Sequence, residues 1–161
     1  MYFAARSTLT ATALPTAFGT FEATFSDGGV TELRFPHQSS GSAASAYAPA
    51  LLLAEELDAY LRGQLTTFSV PLDLRGTPFQ LSVWNALREI PYGEVRSYAS
   101  LAAAIGRPSA VRAVGAANGA NPVPIIVPCH RVIGSSGRLV GFGGGLDWKA
   151  RLLSIEQSLL T

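Results

Sequence analysis

The sequence predicts an α+β fold in two parts, a small sheet-plus-helix unit over residues 1–76 and a mostly helical unit over residues 77–161. Three observations carry that expectation. Phenylalanines alternate with polar residues as far as Phe35, whereas helix caps and breakers punctuate the second part. The charge balance also changes sign: residues 1–76 hold four arginines against seven acidic residues, a balance of −3, whereas residues 77–161 hold seven arginines and one lysine against four acidic residues, a balance of +4.

In chain order, Phe18, Phe21 and Phe25 lead into Asp27-Gly28-Gly29, and Val30, Leu33 and Phe35 follow it. This reads as two strands about a tight turn. Pro36 to Pro49 is rich in Ser, Ala and Gly and reads as a flexible loop. Ala50 to Arg62 has helical spacing at Leu53, Leu57 and Leu61 and a stop at Gly63. Phe68-Ser69-Val70-Pro71-Leu72 reads as a short or edge strand, since Pro71 cannot donate to a ladder. This half shows no evident chemistry and reads as scaffold.

Arg75-Gly76 marks the boundary. Thr77 can cap a helix and Pro78 suits its first position, with Phe79, Val83, Leu87 and Ile90 on one face. Pro91-Tyr92-Gly93 ends it. Ser97 starts a short helix through Ile105, closed by Gly106, and Ser109 starts another through Asn118, stopped by Gly119 and Pro122. Two short helices about Ile105-Gly106-Arg107-Pro108 have the form of a helix-turn-helix, a pattern that ordinary helical hairpins share. Pro122-Val123-Pro124, the apolar Ile125-Ile126-Val127 and a turn at Gly134-Ser135-Ser136-Gly137 come next. Gly141-Phe142-Gly143-Gly144-Gly145 is too glycine-rich to be regular, and a last amphipathic helix carries Leu146, Leu152, Leu153, Ile155 and Leu159. There are no internal repeats.

With 48% hydrophobic and 14% charged residues in 161, the chain should fold into an ordered globule. The basic second half fits a phosphate-bearing partner, although such patches also form by chance. One cysteine excludes an internal disulfide framework and fits a reducing, intracellular setting. With only His37 and His130 beside it, ligands are too few for a Cys/His zinc site, so neither metal nor cofactor is expected. Arg6 has no sustained apolar stretch after it, as a signal peptide would, and no apolar run reaches the roughly 20 residues that span a bilayer. The expectation is a soluble, cytoplasmic protein.

By itself, a lone cysteine behind Ile125-Ile126-Val127 reads as a small buried hydrophobe. Its neighbours in Pro128-Cys129-His130-Arg131 change that reading. Pro128 breaks the apolar run and places Cys129 at a bend, and His130 and Arg131 are polar in a core-like segment. A free thiol is only about 3% thiolate at neutral pH, so a nearby cation or base matters. Adjacent Cys and His side chains need not meet directly; a water or a turn can connect them. A histidine base usually has an acceptor on its other nitrogen, and Glu89, Glu94, Asp147 and Glu156 are the candidates. Glu156 interrupts an apolar helix, although a solvated helix residue would fit the periodicity as well.

These pieces, in order, resemble one family. They are Ile90-Pro91-Tyr92-Gly93-Glu94-Val95, Ser97-Tyr98, Ala110-Val111-Arg112-Ala113-Val114-Gly115, Asn121-Pro122, Ile125 through Ile133, and Gly144-Gly145-Leu146. From Phe79 to Glu156 the chain looks like the catalytic domain of the O6-alkylguanine-DNA alkyltransferases, the methylated-DNA–protein-cysteine methyltransferases. Several ordered motifs over half the chain make the match specific, whereas the N-terminal half resembles the family's variable domain only loosely. The resemblance implies a ribonuclease H-like first domain and a winged helix-turn-helix-like second. It implies single-turnover transfer of an alkyl group from O6-alkylguanine, and from O4-alkylthymine, in double-stranded DNA to Cys129, by a monomer with no membrane association. His130 is then similar to the family's base, acting through a water, and Glu156 to the carboxylate that orients it. Asn121 matches the asparagine tying the helix-turn-helix to the active-site segment. Tyr98 matches the tyrosine that rotates the target nucleotide and donates to the base. Arg112 matches the arginine that fills the gap left by the extruded guanine. Ala113, Gly115 and Ser135 fall at DNA-contacting positions, and Val132, Phe142, Gly143 and Gly144 at the pocket for the flipped base.

The physics agrees with those roles. A sulfur cannot reach an O6 substituent in line within the stack, so the base must leave the duplex, at a cost of a few kcal/mol. Ala110, Ala113, Gly115, Ala116 and Ala117 would let a helix lie close in the narrow minor groove, although a tightly packed helix pair would use the same residues. The product thioether is not a leaving group, so each molecule should act once. The chain departs from parts of the family: it has no N-terminal cysteine cluster, which the zinc-dependent adaptive-response members carry. Phe142 stands where many members have tyrosine, with three glycines after it, so the substrate loop is expected to be more mobile. A non-catalytic lesion-binding module is argued against by Cys129 itself, a transcriptional regulator by the lack of an effector domain, and a cysteine hydrolase by the lack of an identifiable oxyanion hole.

Overall fold

The computed structural model describes residues 10–134, 137 and 141–157. Strands β1 (Ala11–Thr16), β2 (Gly19–Ser26) and β3 (Gly29–Arg34) form an antiparallel sheet in the order β1-β2-β3. The β2–β3 hairpin is the expected one. Its Gly29 has φ +137°, and a β-carbon there would lie 2.3 Å from the Pro71 carbonyl oxygen, so glycine is required. β1 is a strand beyond the two expected. Its Ala-Thr-Ala-Leu-Pro run offers little apolar alternation, and Pro15 is tolerated because β1 lies at the sheet edge.

Helix α1 (Ala48–Leu61) covers the sheet, burying Leu53, Leu57, Tyr60 and Leu61 with Leu14, Phe21, Phe25, Val30 and Leu33. The stretch from Pro36, expected as a flexible loop, is instead anchored. It opens with a 3-10 turn, Pro36–Gln38, and wraps the buried Glu22 carboxylate, which accepts from the Ser40 and Ser42 hydroxyls, each at 2.7 Å. Burial pushes that carboxyl's pKa up, but the Ser42 and Ser40 donors outweigh it and hold it at about 2. Residues 68–72 form no strand of their own. Val30 N–H donates to the Pro71 carbonyl at 2.9 Å, and a single parallel bridge joins Val30 to Leu72.

Helix α2 (Pro78–Arg88) starts as expected: Thr77 Oγ1 accepts from Gln80 N–H at 3.1 Å, and Gln80 Oε1 accepts from Thr77 N–H at 3.0 Å. Helix α3 (Tyr98–Ala104) is capped by the Ser97 hydroxyl, which accepts from Ser100 N–H. Helix α4 (Val111–Gly119) begins after Ala110 with no side-chain cap, so Ser109 is not its first residue as expected. Trp84 Nε1 of α2 donates to the Ala117 carbonyl at 2.8 Å and ties α2 to α4. A parallel pair of two-residue strands, β4 (Arg96–Ser97) and β5 (Val132–Ile133), is too short for periodicity to reveal. Helix α5 (Leu146–Ile155) buries Lys149, Leu152 and Leu153; Leu159, expected on the same helix, lies outside the described residues. Leu33 N–H donates to the Pro122 carbonyl at 2.8 Å, and Trp148 of α5 packs on Phe35 and Phe21, so the two halves share a seam. Among the described residues no helix is long and apolar enough to cross a membrane.

Candidate active site

The reactive segment is shaped by the turn that precedes it. Asn121 clamps that turn at both ends: its Oδ1 accepts from Val123 N–H at 3.0 Å and its Nδ2 donates to the Val127 carbonyl at 2.8 Å. Between them, buried Ile125 is held at φ +74°, a conformation costly for a β-branched residue, by about 1–3 kcal/mol. Pro128 then leads into a 3-10 turn, Cys129–Arg131. Successive residues in such a turn point about 120° apart, so Cys129 is turned away from the two residues that follow it. Cys129 lines a cavity of about 480 Å³, His130 goes fully into the interior, and Arg131 lines a separate hollow beside Tyr92.

The cavity has two walls. Asn121, Cys129, Phe142, Gly143 and Gly144 form one, and Glu32, Arg34 and Phe35 from the sheet edge, with Gln38 from the 3-10 turn after it, form the other. The glycine loop, expected to be mobile, is held by the second wall. Gln38 Nε2 donates to the Gly143 carbonyl at 2.9 Å, and the Phe35 and Phe142 rings meet edge to face at 5.7 Å.

Behind Cys129 lies a buried ionic cluster. His130 Nε2 is 2.8 Å from Glu156 Oε2. Arg131 grips the same carboxylate twice, Nε to Oε1 at 2.8 Å and Nη2 to Oε2 at 3.0 Å, and its Nη1 donates to the Ile90 carbonyl at 2.7 Å. The Tyr60 hydroxyl also donates to Glu156 Oε2. Burial pushes the Glu156 pKa up, but the His130 and Arg131 donors outweigh it and hold it at about 2. With that carboxylate ionised, Nε2 is the protonated nitrogen of a neutral His130, whose own pKa burial pushes down. Its Nδ1 has no hydrogen-bond partner among the described residues. A lone pair is therefore available on the side away from Glu156, the geometry of a general base.

The thiol itself is neutral. Burial pushes the Cys129 pKa up to about 11, against lowering contributions from Asn121 and Lys149. Lys149 donates to the Val132 carbonyl at 2.6 Å, and burial draws its pKa down to about 8. The pair can attack an electrophile only if the thiol proton leaves as the sulfur reacts, which is what a neighbouring base permits.

Of the four candidate carboxylates, Glu156 is the one bonded to His130, whereas Glu94 pairs with Arg96 at 3.1 Å. Tyr98 opens α3, half-buried; burial pushes its hydroxyl pKa up, with the Cys129 charge adding and Asn118 opposing. Arg112 and Ala113 are exposed on α4. Gly115 is half-buried under Tyr98, whose ring would lie 3.9 Å from a β-carbon there. Val132 is fully buried, its carbonyl engaged by Lys149, and it is not on the cavity lining. Ser135 lies outside the described residues. Sequence reasoning passed over Tyr60, Lys149 and the carboxylate grip of Arg131. Lys149 shares the Leu152, Leu153, Glu156 face by helical spacing, and Tyr60 continues the Leu53, Leu57 stripe, so both were marked for burial.

A family model described as "6-O-methylguanine DNA methyltransferase, DNA binding domain" matches residues 78–158. The methylated-DNA–protein-cysteine methyltransferase of Mycolicibacterium paratuberculosis is 61% identical over 103 residues, 64% of this chain and 62% of that protein. Its Methanosarcina acetivorans counterpart is 57% identical over 105 residues, 65% of this chain and 67% of that protein. The matched region thus spans less than two thirds of the mycobacterial relatives' length. The solved structure of Mycobacterium tuberculosis OGT in complex with DNA is similar with a TM-score of 0.81 and 47% identity, covering 92% of each chain. The O6-methylguanine-DNA methyltransferase of Pyrococcus kodakaraensis, at 23% identity and a TM-score of 0.55, shares the fold.

Proposed function

Because the chain belongs to the 6-O-methylguanine DNA methyltransferase family, we propose that it repairs double-stranded DNA by moving the alkyl group of O6-alkylguanine, or of O4-alkylthymine, onto its own Cys129. The observation that carries this reading is the buried Glu156–His130 pair, with Nδ1 open, directly behind a cysteine that lines a cavity. His130 Nδ1 takes the thiol proton through a water as Sγ attacks the alkyl carbon. The bond from that carbon to O6 breaks, its electron pair stays on the guanine, and a proton donated by Tyr98 neutralises the departing base; the proton taken up by His130 then returns to the Tyr98 oxygen through water. The thioether that forms has no route back, so each molecule acts once.

Binding comes from the unit formed by residues 77–161, and residues 1–76 supply the second wall of the cavity. Arg112, Ala113 and Gly115 on α4, with Tyr98 and Ser135, meet the duplex in its minor groove. The small side chains of α4 admit its backbone closely, and Arg112 occupies the space of the extruded base. Phe142, Gly143 and Gly144 then flank the flipped guanine, with Val132 behind Cys129. A reaction that consumes a reduced thiol fits a monomer in the reducing cytoplasm. The test is to incubate the protein with a duplex containing O6-methylguanine and weigh the protein and its peptides. One methyl gained per molecule, on the Cys129 peptide and absent from Cys129→Ser, is expected. Repeated turnover without protein modification, or no transfer, overturns the reading.

A further inference from the structure

We propose that Tyr60, from α1 of the N-terminal half, is a positioning residue for the histidine base, its hydroxyl fixing the Glu156 carboxylate and limiting how strongly that carboxylate draws on His130. The inference rests on the alkyl-transfer reading and assigns the first half of the chain a part in the chemistry. The Tyr60 side chain is fully buried, and its hydroxyl donates to Glu156 Oε2, the oxygen that also takes His130 Nε2 at 2.8 Å and Arg131 Nη2 at 3.0 Å. The hydroxyl is itself 3.4 Å from His130 Nε2. A carboxylate oxygen offers about two lone-pair sites, so three donors on Oε2 compete for them. Hydrogen bonding given to Tyr60 is withheld from His130, which keeps the imidazole neutral and its Nδ1 lone pair available.

Packing alone does not call for that hydroxyl. The ring sits against Phe68 at 5.4 Å and Tyr92 at 6.2 Å, contacts a phenylalanine would make equally well. The charged and titratable groups around the cluster are Lys149 from α5 and Glu156 just past its end, His130, Arg131 and Cys129 from the 3-10 turn, and Tyr92 after α2. Burial and the neighbouring Glu156 charge push the Tyr60 pKa far up, so the hydroxyl stays a donor throughout the range in which histidine titrates.

The test compares Tyr60→Phe with the wild type in the rate of methyl transfer from an O6-methylguanine duplex, measured across the titration range of histidine. With one donor fewer on Glu156, the carboxylate holds protonated His130 more strongly. The acid limb of the profile should therefore move up by about half to one pH unit, while affinity for undamaged duplex stays unchanged. Phe68→Leu loosens the same ring packing without touching the hydroxyl and should leave the limb in place. Nitrogen-15 NMR of labelled histidine reads the same link without any transfer, because the exposed His37 is the one other histidine and serves as reference. The His130 midpoint should rise in Tyr60→Phe. A limb and midpoint that stay put, or that Phe68→Leu moves equally, overturn the proposal. A wild type that transfers nothing overturns the alkyl-transfer reading alone, since the NMR comparison still reads Tyr60.

Discussion

Although 26 residues apart in sequence, His130 and Glu156 meet at 2.8 Å with both side chains fully buried. This makes acid stability a readout of the site. Burial holds the folded His130 pKa below its ordinary 6.5, and the donors around Glu156 hold its carboxyl at about 2 against an ordinary 4.5. In both cases the unfolded chain binds protons first as pH falls. The stability these two groups contribute is therefore complete above about pH 6.5 and is lost progressively toward pH 2. Glu156→Gln should shrink the acid loss below pH 4.5 by the Glu156 share, leaving that of Glu22, whose carboxyl is also held at about 2. It should also cost about 3–5 kcal/mol at neutral pH by stranding buried Arg131. Urea unfolding across pH checks both; a free energy that does not change between pH 6.5 and pH 4.5 would contradict the assignment of His130.

The raised thiol pKa predicts a shielded cysteine. A pKa near 11 instead of 9.0 leaves about 100-fold less thiolate at neutral pH. Iodoacetamide should therefore label the folded protein far more slowly than the urea-unfolded one, with a rate that climbs as pH approaches 11. Because Cys129 is the single cysteine, a bulk thiol assay reads it directly. Equal rates for folded and unfolded protein would show that burial does not hold the thiol neutral.

Most helices were legible because their ends are written in capping chemistry: Thr77-Pro78 and Ser97 each do what their residue types allow. β1 was not, since Ala11 to Pro15 has neither alternation nor bulk and gains its strand by pairing with β2. The Ser-rich stretch after Pro36 looked unstructured because its ordering group, Glu22, is remote in sequence and ordinary in a strand pattern. At the site, Cys129, His130 and Glu156 could be named from motif order. Which carboxylate reaches His130, and that Tyr60 shares it, depends on how α1 and α5 pack about the 3-10 turn, a long-range fact that no local pattern encodes.

The DNA-docking role proposed for the exposed face of α4 can be tested apart from the chemistry. Arg112→Ala should slow transfer from a duplex by tenfold or more, a cost of about 1.4 kcal/mol, because no side chain then fills the space of the flipped base. Transfer from an alkylated guanine base free in solution should be unaffected. Ala113→Leu, at an exposed position, should change stability by no more than about 0.5 kcal/mol yet weaken duplex binding by crowding the groove. Fluorescence anisotropy with undamaged duplex gives the binding arm. Equal slowing of both substrates by Arg112→Ala would place its effect on the chemistry instead.

Gly144 lies in one wall of the cavity directly against Phe35 of the other. A β-carbon there would lie 2.5 Å from Phe35 Cε2, 2.7 Å from Phe35 Cδ2 and 2.9 Å from Phe142 Cε1, so a ring must move. Phe35 has little room to retreat, with Trp148 at 5.1 Å and Phe21 at 5.7 Å behind it. The displaced ring is then Phe142, which lines the cavity with Cys129. Gly144→Ala should accordingly cost about 1–3 kcal/mol of stability by overpacking and slow alkyl transfer in the same variant. Phe35→Leu should be destabilising alone but should recover part of both losses in the Gly144→Ala background. A double-mutant cycle on urea unfolding and on transfer rate measures this directly. Coupling of about 1 kcal/mol or more is expected, and additivity within about 0.5 kcal/mol would mean that the two residues do not oppose each other across the cavity.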